Sequence, residues 1–537
     1  MRIRGLVAVS LGGLAACVPG PDDPQAELVC EVPVEGIDRF TEEAAARGLT
    51  PDTSPMPGLQ EAGPEGFGNV WAPGRVVVED LDGDGDVDVL FSHGTDAPQA
   101  FRNVGGRFEA VDLALGETPV PDARQPWATF SLAQVAGDDL PDLVFQVGPS
   151  LQVAENTGDL SFTELRTLGF GSGPPTAVFS HVWGDPDGDG DLDMWLPTMA
   201  DLEGDEGANP APELFFRHHE GLLTPVAEYV RSGEPGLSIL ANWTDRDDDG
   251  DLDLLSFSDR GRELGVLSTA YRNDGVQGGA PVLVEDGPDL GFALPTSAMG
   301  LASADLNDDG AMDYCVSDLG PVICLTSHPT GWIEAGAALG LQPPDRVDAP
   351  WSGWSLELVD LDHDGWLDMP VVGAAQEQAL EFFGTEEEWL QPDAMYRGGP
   401  NGFEKVEIGF ESTVSHPSMA AADVDGDGFQ DLVVAAYAGP ALLFMNTCNE
   451  GRWLSVRAVG APGNPQGLGA RITVTGERTR TREIQGQRAL GQGPARAHFG
   501  LGDEAEVDVS VRWPDGAEVE LTDVSTRQVL RVSHPDS

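Results

Sequence analysis

Residues 80–92 read DLDGDGDVDVLFS, and their first nine residues set a pattern, D-x-[DN]-x-D-G-x-x-D, that the chain repeats. Further copies start at Asp185 (DPDGDGDLD), Asp245 (DRDDDGDLD), Asp305 (DLNDDGAMD), Asp360 (DLDHDGWLD) and Asp423 (DVDGDGFQD). A degenerate copy occupies residues 134–142 (QVAGDDLPD). Such spacing is what a calcium loop requires. Calcium takes about six to eight oxygens at about 2.3–2.6 Å. Side chains at positions 1, 3, 5 and 9 and the backbone carbonyl at position 7 supply them, and glycine at position 6 permits the sharp turn.

The candidate ligands follow loop by loop. They are Asp80, Asp82, Asp84, Asp86 and Asp88; Asp185, Asp187, Asp189, Asp191 and Asp193; and Asp245, Asp247, Asp249, Asp251 and Asp253. The other three loops contribute Asp305, Asn307, Asp309, Ala311 and Asp313; Asp360, Asp362, Asp364, Trp366 and Asp368; and Asp423, Asp425, Asp427, Phe429 and Asp431. The expected cofactor is therefore Ca²⁺, about one structural ion for each intact loop. An EF-hand would need an acidic residue at position 12 and flanking helices. Position 12 is instead Phe91, Leu196, Ser256, Val316, Val371 or Val434, and the residues after each loop read as strands. A metal-free acidic turn is the plainer alternative, but carboxylates packed this closely repel one another without a cation.

Loop starts at 80, 134, 185, 245, 305, 360 and 423 lie 51 to 63 residues apart. A strand-built repeat of this length fits a four-stranded propeller blade, and seven loops predict seven blades. A second element recurs between loops: FRNVGGRF (101–108), ENTGDLSF (155–162), YRNDG (271–275) and FMNTCNEG (444–451). It reads as strand, tight turn and returning strand. The acidic segment Asp201–Glu213 is an insertion that would sit on a rim.

Composition agrees with an all-β chain of more than one domain. The 537 residues include 68 Gly and 41 Pro, which suits many short strands and turns. With 91 acidic against 29 basic residues the net charge is −62, which disfavours nucleic acid and anionic membrane surfaces as partners.

The N-terminus reads as an export signal: Arg2 and Arg4, then an apolar run Leu6–Leu14 too short to span a bilayer. The following Leu14-Ala15-Ala16-Cys17 resembles a bacterial lipobox, with Cys17 lipidated and residues 1–17 the signal. Residues 18–35 read as a flexible tether. Val18 after the cysteine, by resemblance to lipoprotein sorting, favours the outer membrane or cell surface. Export implies an oxidising compartment. Of the remaining cysteines, Cys315 and Cys324 flank a candidate hairpin that sets them opposite each other, which leaves Cys30 with Cys448.

Here a resemblance becomes specific. GLASADLNDDGAMDYCVSDLG (300–320) and GWSLELVDLDHDGWLDMPVVG (353–373) resemble FG-GAP/VCBS repeats of integrin-type propellers, in the cartilage-acidic-protein-like branch. Residues 467–524 resemble the ASPIC/UnbV domain through GLGARITV (467–474), HFGLG (498–502) and WPDG (513–516). The resemblance implies a propeller over 36–448 followed by a small β-domain over 449–537. That domain holds Arg452, Arg457, Arg471, Arg478, Arg480, Arg482, Arg488 and Arg496. Its basic face could pack on the acidic propeller or form an anionic-ligand patch.

Enzyme signatures are missing: no G-x-S-x-G, H-E-x-x-H, P-loop or C-x-x-C occurs. His218-His219-Glu220 lacks zinc spacing, and Trp351 and Trp354 read as blade core rather than a sugar platform. The expectation is a monomeric, lipid-anchored calcium propeller that binds a protein or glycan on its rim loops, without catalysis. The alternative is an envelope lyase or hydrolase that acts on polysaccharide or lipid through the propeller channel.

Overall fold

Each Asp-rich loop joins the first two strands of a four-stranded antiparallel sheet. The computed structural model describes residues 40–536 apart from 52–73, 93–97, 114, 116–126, 136–139, 148–149, 164–165, 170–179, 198–212, 220–221, 230–237, 260, 345–350, 375–390, 408–414, 437–438, 448 and 487–490. The signal, the tether, Cys17, Cys30, Cys448 and most of the acidic insertion lie outside these residues.

The first sheet comprises Arg75–Glu79, Asp88–Ser92, Gln99–Asn103 and Phe108–Val111. The second to sixth begin at Trp127–Ala133, Val182–Gly184, Ser238–Thr244, Gly300–Ala304 and Gly353–Leu356, each followed by three strands in the same up-and-down order. The seventh holds Ser418–Ala422, Asp431–Ala435 and Leu442–Met445, and takes its outer strand from the other end of the fold: Thr41 pairs with Met445 and Glu42 with Phe444.

Second strands such as Asp88–Ser92, Asp193–Leu196 and Asp313–Ser317 are buried at every residue, because both faces of each sheet are covered by the next. The apolar clusters show this directly. One cluster joins sheets one and two, another sheets four and five, another five and six, and another six and seven. A further cluster joins Val76, Val78 and Val89 of the first sheet to Ala420, Val433 and Leu443 of the last, which closes the ring. Val76 N–H also donates to Ser418 Oγ at 2.9 Å across that closure. The architecture is the all-β propeller that the repeat spacing predicts. Helix among the described residues is confined to three four-residue turns.

Two C-terminal sheets follow: Arg452–Val459 with Ala497–Gly502 and Gln528–Ser533, and Arg471–Thr475 with Thr479–Glu483, Glu506–Arg512 and Glu518–Ser525. Their core is continuous with the propeller: Leu454, Leu468, Ile472 and Phe499 share one cluster with Val144, Trp183 and Met194 of sheets two and three. The chain between them threads inward. Gly491–Gln492 pairs in parallel with Val76 and Val77, adding a strand to the inner edge of the first sheet. Gln492 exchanges two 3.0 Å hydrogen bonds with the Leu132 backbone, and Ala495 N–H donates to Glu79 Oε2 at 2.9 Å.

Candidate metal centres

The loops organise themselves through their own side chains. In the loop of Asp185, Oδ1 accepts from Asp189 N–H at 3.1 Å and Oδ2 from Gly190 N–H at 3.0 Å; Asp189 Oδ1 accepts from Asp191 N–H at 3.1 Å. The same ladder recurs at Asp305 with Asp309, Gly310 and Ala311, and at Asp423 with Asp427, Gly428 and Phe429. Position 6 carries the positive φ that glycine favours, as at Gly190 (91°) and Gly310 (88°). These bonds hold the carboxylates in place before any ion arrives.

The result is convergence. Ligand atoms of Asp80, Asp82 and Asp84 lie within 4.8 Å of one another, as do those of Asp185, Asp187 and Asp189, of Asp245, Asp247 and Asp249, and of Asp360, Asp362 and Asp368. Oxygens on a calcium shell of about 2.4 Å radius span that range. Without a cation the arrangement is costly. Burial pushes Asp185 up to about 7 and Asp193 to about 9, with neighbouring carboxylates adding to both. Burial and then Asp368, Asp364 and Asp362 hold Asp360 well above the carboxylate range. Asp360 Oδ1 and Asp425 Oδ1 are buried with no hydrogen-bond donor among the described residues. An all-oxygen donor set with orphaned buried carboxylate oxygens fits Ca²⁺.

Position 9 has a second duty. Asp88 Oδ2 accepts from Leu81 N–H at 3.1 Å and its Oδ1 from Asn103 N–H at 2.8 Å, so it ties the loop to the third strand. Asp313, Asp368 and Asp431 repeat both bonds. So does Asp142 of the degenerate loop, with Val135 and Asn156. That loop keeps its last aspartate for a structural reason. At its position 1, Gln134 Nε2 donates to Leu140 O, the position 7 carbonyl, at 2.7 Å. A side-chain amide thus meets a carbonyl that an ion would otherwise need; residues 136–139 lie outside the described residues.

The recurring asparagine of the second sequence element is a clasp between sheets, which its residue pattern alone did not disclose. Asn103 Nδ2 donates to Val424 O of the seventh sheet's loop at 2.7 Å. Asn156 Nδ2 reaches Leu81 O at 3.0 Å, Asn273 Nδ2 reaches Pro186 O at 2.8 Å, and Asn446 Nδ2 reaches Leu361 O at 2.8 Å. In each case the acceptor is position 2 of the preceding sheet's Asp loop. In the first, third and sixth sheets an arginine of the third strand adds a charge contact to its own sheet's loop: Arg102, Arg217 and Arg397 reach the position 3 carboxylates of Asp82, Asp187 and Asp362 at 3.0, 2.9 and 2.6 Å. His219, left aside in the sequence, places a ring nitrogen beside Asp189 and Asp191.

The C-terminal domain seats on five of these loops: Gly463 packs against Gly190 and Asp191, Trp453 packs against Gly428, and the other three loops make polar or ring contacts. Arg471 and Arg512 reach Asp248 at 2.8 and 2.5 Å, and Arg512 reaches Asp245 at 2.7 Å. Arg478 pairs with Asp308 at 2.6 Å, donates to Gly365 O at 2.7 Å and lies 3.4 Å over the Trp366 ring. His363 Nε2 stands 3.0 Å from His498 Nε2, and the His363 ring stacks on Phe429. His363 is position 4 of its loop and turns away from the carboxylate cluster, toward the C-terminal sheets.

Other singled-out residues are structural. Cys315 and Cys324 face each other in register and form a disulfide. Trp351 and Trp354 are buried, with indole N–H groups bound to Pro392 O and Ser352 Oγ. Trp513 is buried, and Gly516 N–H returns to Trp513 O at 2.9 Å, which makes WPDG a β-turn. The channel wall near the C-terminal sheets is occupied by the threaded strand Gly491–Gln492.

Comparison with known proteins agrees with this anatomy. Residues 460–537 match the family described as ASPIC and UnbV, and residues 417–452 match the FG-GAP repeat. The chain carries an FG-GAP repeat followed by an ASPIC/UnbV domain, a combination that suggests a propeller-type extracellular binding module. No curated protein matches. Among solved structures, an Agrocybe aegerita lectin specific for non-reducing terminal N-acetylglucosamine is 16% identical, covering 64% of this chain and 82% of its own, with TM-score 0.40. A fungal alcohol oxidase of the AA5 family in complex with copper is 10% identical over 85% and 98% of the two chains, with TM-score 0.43. BBS1N in complex with ARL6DN is 12% identical over 72% and 96%, with TM-score 0.39. None of these carries an activity over to this chain.

Proposed function

We propose that the chain is a calcium-stabilised, surface-tethered seven-bladed propeller that acts as a binding or adhesion module. The observation that carries the metal reading is the convergence of three aspartate oxygens within 4.8 Å in four separate loops. The ions are structural in this reading. Each pins the turn between two strands and cancels repulsion among carboxylates that burial otherwise keeps from ionising. The lipid anchor at Cys17 places the module on the envelope.

The ligand face is the one away from the metal loops. The C-terminal sheets occupy the loops of Asp245, Asp305 and Asp360, and residues 491–495 line the channel beside them. At the strand ends opposite, the acidic insertion joins the second and third strands of the third sheet. A protein or glycan held by those loops is the function the geometry favours over channel catalysis. The test has two parts. Metal analysis of the purified chain should find about six Ca²⁺, and chelation should lower the melting temperature by many degrees. The calcium-loaded chain should then retain partners from a glycan and envelope-protein panel unchanged, and replacing residues 201–212 with a Gly/Ser linker should abolish retention. Turnover of any retained polysaccharide or lipid, or no bound metal, would overturn the reading.

A further inference from the structure

Where the C-terminal sheets meet the fifth, sixth and seventh propeller sheets they leave a cavity of about 50 Å³, lined by Ser303, Gln430, Arg482, Glu483, Arg496 and His498 among others. Its charge is unusual for this chain. On a protein with 91 acidic and 29 basic residues, the neighbouring arginines are all paired: Arg471 with Glu483, Arg478 with Asp308, Arg480 with Glu504. Arg482 and Arg496 form no ion pair among the described residues. Arg482 Nη1 donates to Thr481 O at 2.8 Å, its Nε is buried without an acceptor, and its guanidinium lies 5.5 Å from the Phe499 ring centre. Burial lowers it to about 10 even though Asp305 and Asp360 favour its charge from farther off.

Glu79 and Asp423 act on Arg496 from outside the lining, and the remaining walls supply no counter-ion for Arg482. Glu483, the one carboxylate on the lining, is already held by Arg471 at 2.8 Å and by Thr244 Oγ1 at 2.6 Å. His498 is kept neutral, pushed down to about 3 by burial and then by Arg482 and Arg496, and its Nδ1 is buried with no partner. A half-buried guanidinium whose Nε is buried without an acceptor is costly without a counter-ion, and its forked donors match an oxyanion. Space for a few water-sized groups admits a carboxylate or a tetrahedral oxyanion and excludes a sugar ring.

We propose that this cavity is a binding site for a small oxyanion, held between Arg482 and Arg496 where the ASPIC/UnbV domain meets the propeller. The site is independent of the rim-ligand reading. The probes are sodium sulfate and sodium acetate, titrated into the full calcium-loaded chain by calorimetry at constant ionic strength against chloride. One saturable site per chain is expected for at least one of them; acetate alone assigns a carboxylate, sulfate alone a tetrahedral anion. Arg482→Gln should weaken binding at least tenfold. Should that variant not fold, crystals of the unaltered chain soaked in selenate decide the matter through an anomalous peak between the two guanidinium groups. Neither anion binding above chloride, an undiminished affinity in Arg482→Gln, or selenate found only elsewhere would overturn the proposal.

Discussion

Replacing Asn273 with alanine tests whether the sheets are clasped through their metal loops. Asn273 is buried. Its Nδ2 donates to Pro186 O at 2.8 Å and to Leu252 O at 3.2 Å, and its Oδ1 accepts from Gly275 N–H at 3.1 Å. A hydrogen bond contributes about 0.5–1.5 kcal/mol net, and a buried group left unsatisfied costs about 1–3 kcal/mol. Three bonds are lost and two carbonyls orphaned, so the expected loss is about 2–4 kcal/mol after partial relaxation. Urea unfolding at saturating calcium measures it. A second effect separates this account from generic cavity formation. Pro186 lies between the candidate ligands Asp185 and Asp187 on the neighbouring sheet, so the variant should loosen that loop. Hydrogen exchange reads it at the Asp189 and Gly190 amides, which donate to Asp185. Their exchange should quicken by about tenfold, the equivalent of about 1.4 kcal/mol. A loss of stability under about 0.5 kcal/mol, or unchanged exchange at those two amides, would refute the clasp.

Further outcomes follow from the ion pairs, the disulfide and the buried carboxylates. Arg471→Met should cost about 3–5 kcal/mol, since it leaves Glu483 buried without its cation, whereas Asp248→Ala, at a well-exposed side chain, should cost no more than about 1 kcal/mol; paired thermal unfolding compares them. Converting both Cys315 and Cys324 to serine removes a cross-link spanning nine residues and should cost about 2–3 kcal/mol, read by denaturant midpoint with and without reductant. For the calcium-free chain, burial raises Asp88, Asp185 and Asp313 to about 7. The native state then binds more protons than the unfolded chain, so stability is fullest below about pH 4 for these groups and falls as pH rises through about 7. Loading calcium should reverse that slope, because the ion needs ionised carboxylates; melting curves from pH 4 to 8 with and without chelator check the sign.

What was legible in the sequence was what local chemistry decides. The Asp-x-Asp-x-Asp-Gly spacing specified the turns because the side chains that define the loop also hydrogen-bond its backbone, as Asp305 does with Asp309 and Gly310. The pairing of Cys315 with Cys324 was legible because a hairpin register follows from counting along two adjacent strands. The clasps were visible only as a recurrence. Nothing local tells that Asn103 will meet Val424, 321 residues away. The threaded strand was not legible at all. Gly491–Gln492 has no alternation to mark it, and its pairing with Val76 and Val77 exists only once the ring of sheets has formed around it. Spacing makes position 9 a ligand, yet the bond from Val135 N–H to Asp142 in the degenerate loop shows that this aspartate also serves without an intact metal pattern.

Position 4 of the loops joins the two levels of organisation. In the loops of Asp80, Asp185 and Asp423 it is glycine, with φ of 80°, 68° and 73°. In the loops of Asp245, Asp305 and Asp360 it is Asp248, Asp308 or His363, with φ of 63°, 58° and 55°. A side chain in that left-handed region costs about 1 kcal/mol or more where glycine costs nothing. The strain is confined to the loops where the side chain has a partner on the other domain: Arg471 and Arg512, Arg478, and His498 respectively. The same backbone turn therefore serves two ends. With glycine it closes an Asp-rich loop, and with a side chain it also becomes a docking post. The pattern D-x-[DN]-[DH]-D-G marks loops that meet the second domain through a position 4 side chain, whereas the D-x-D-G-D-G loops of Asp185 and Asp423 meet it by close packing alone, Gly463 against Gly190 and Asp191 and Trp453 against Gly428. Since the posts stand on loops whose shape depends on their carboxylate ladder, the calcium reading proposed above predicts that the seating of the ASPIC/UnbV domain and metal binding in those three loops are coupled.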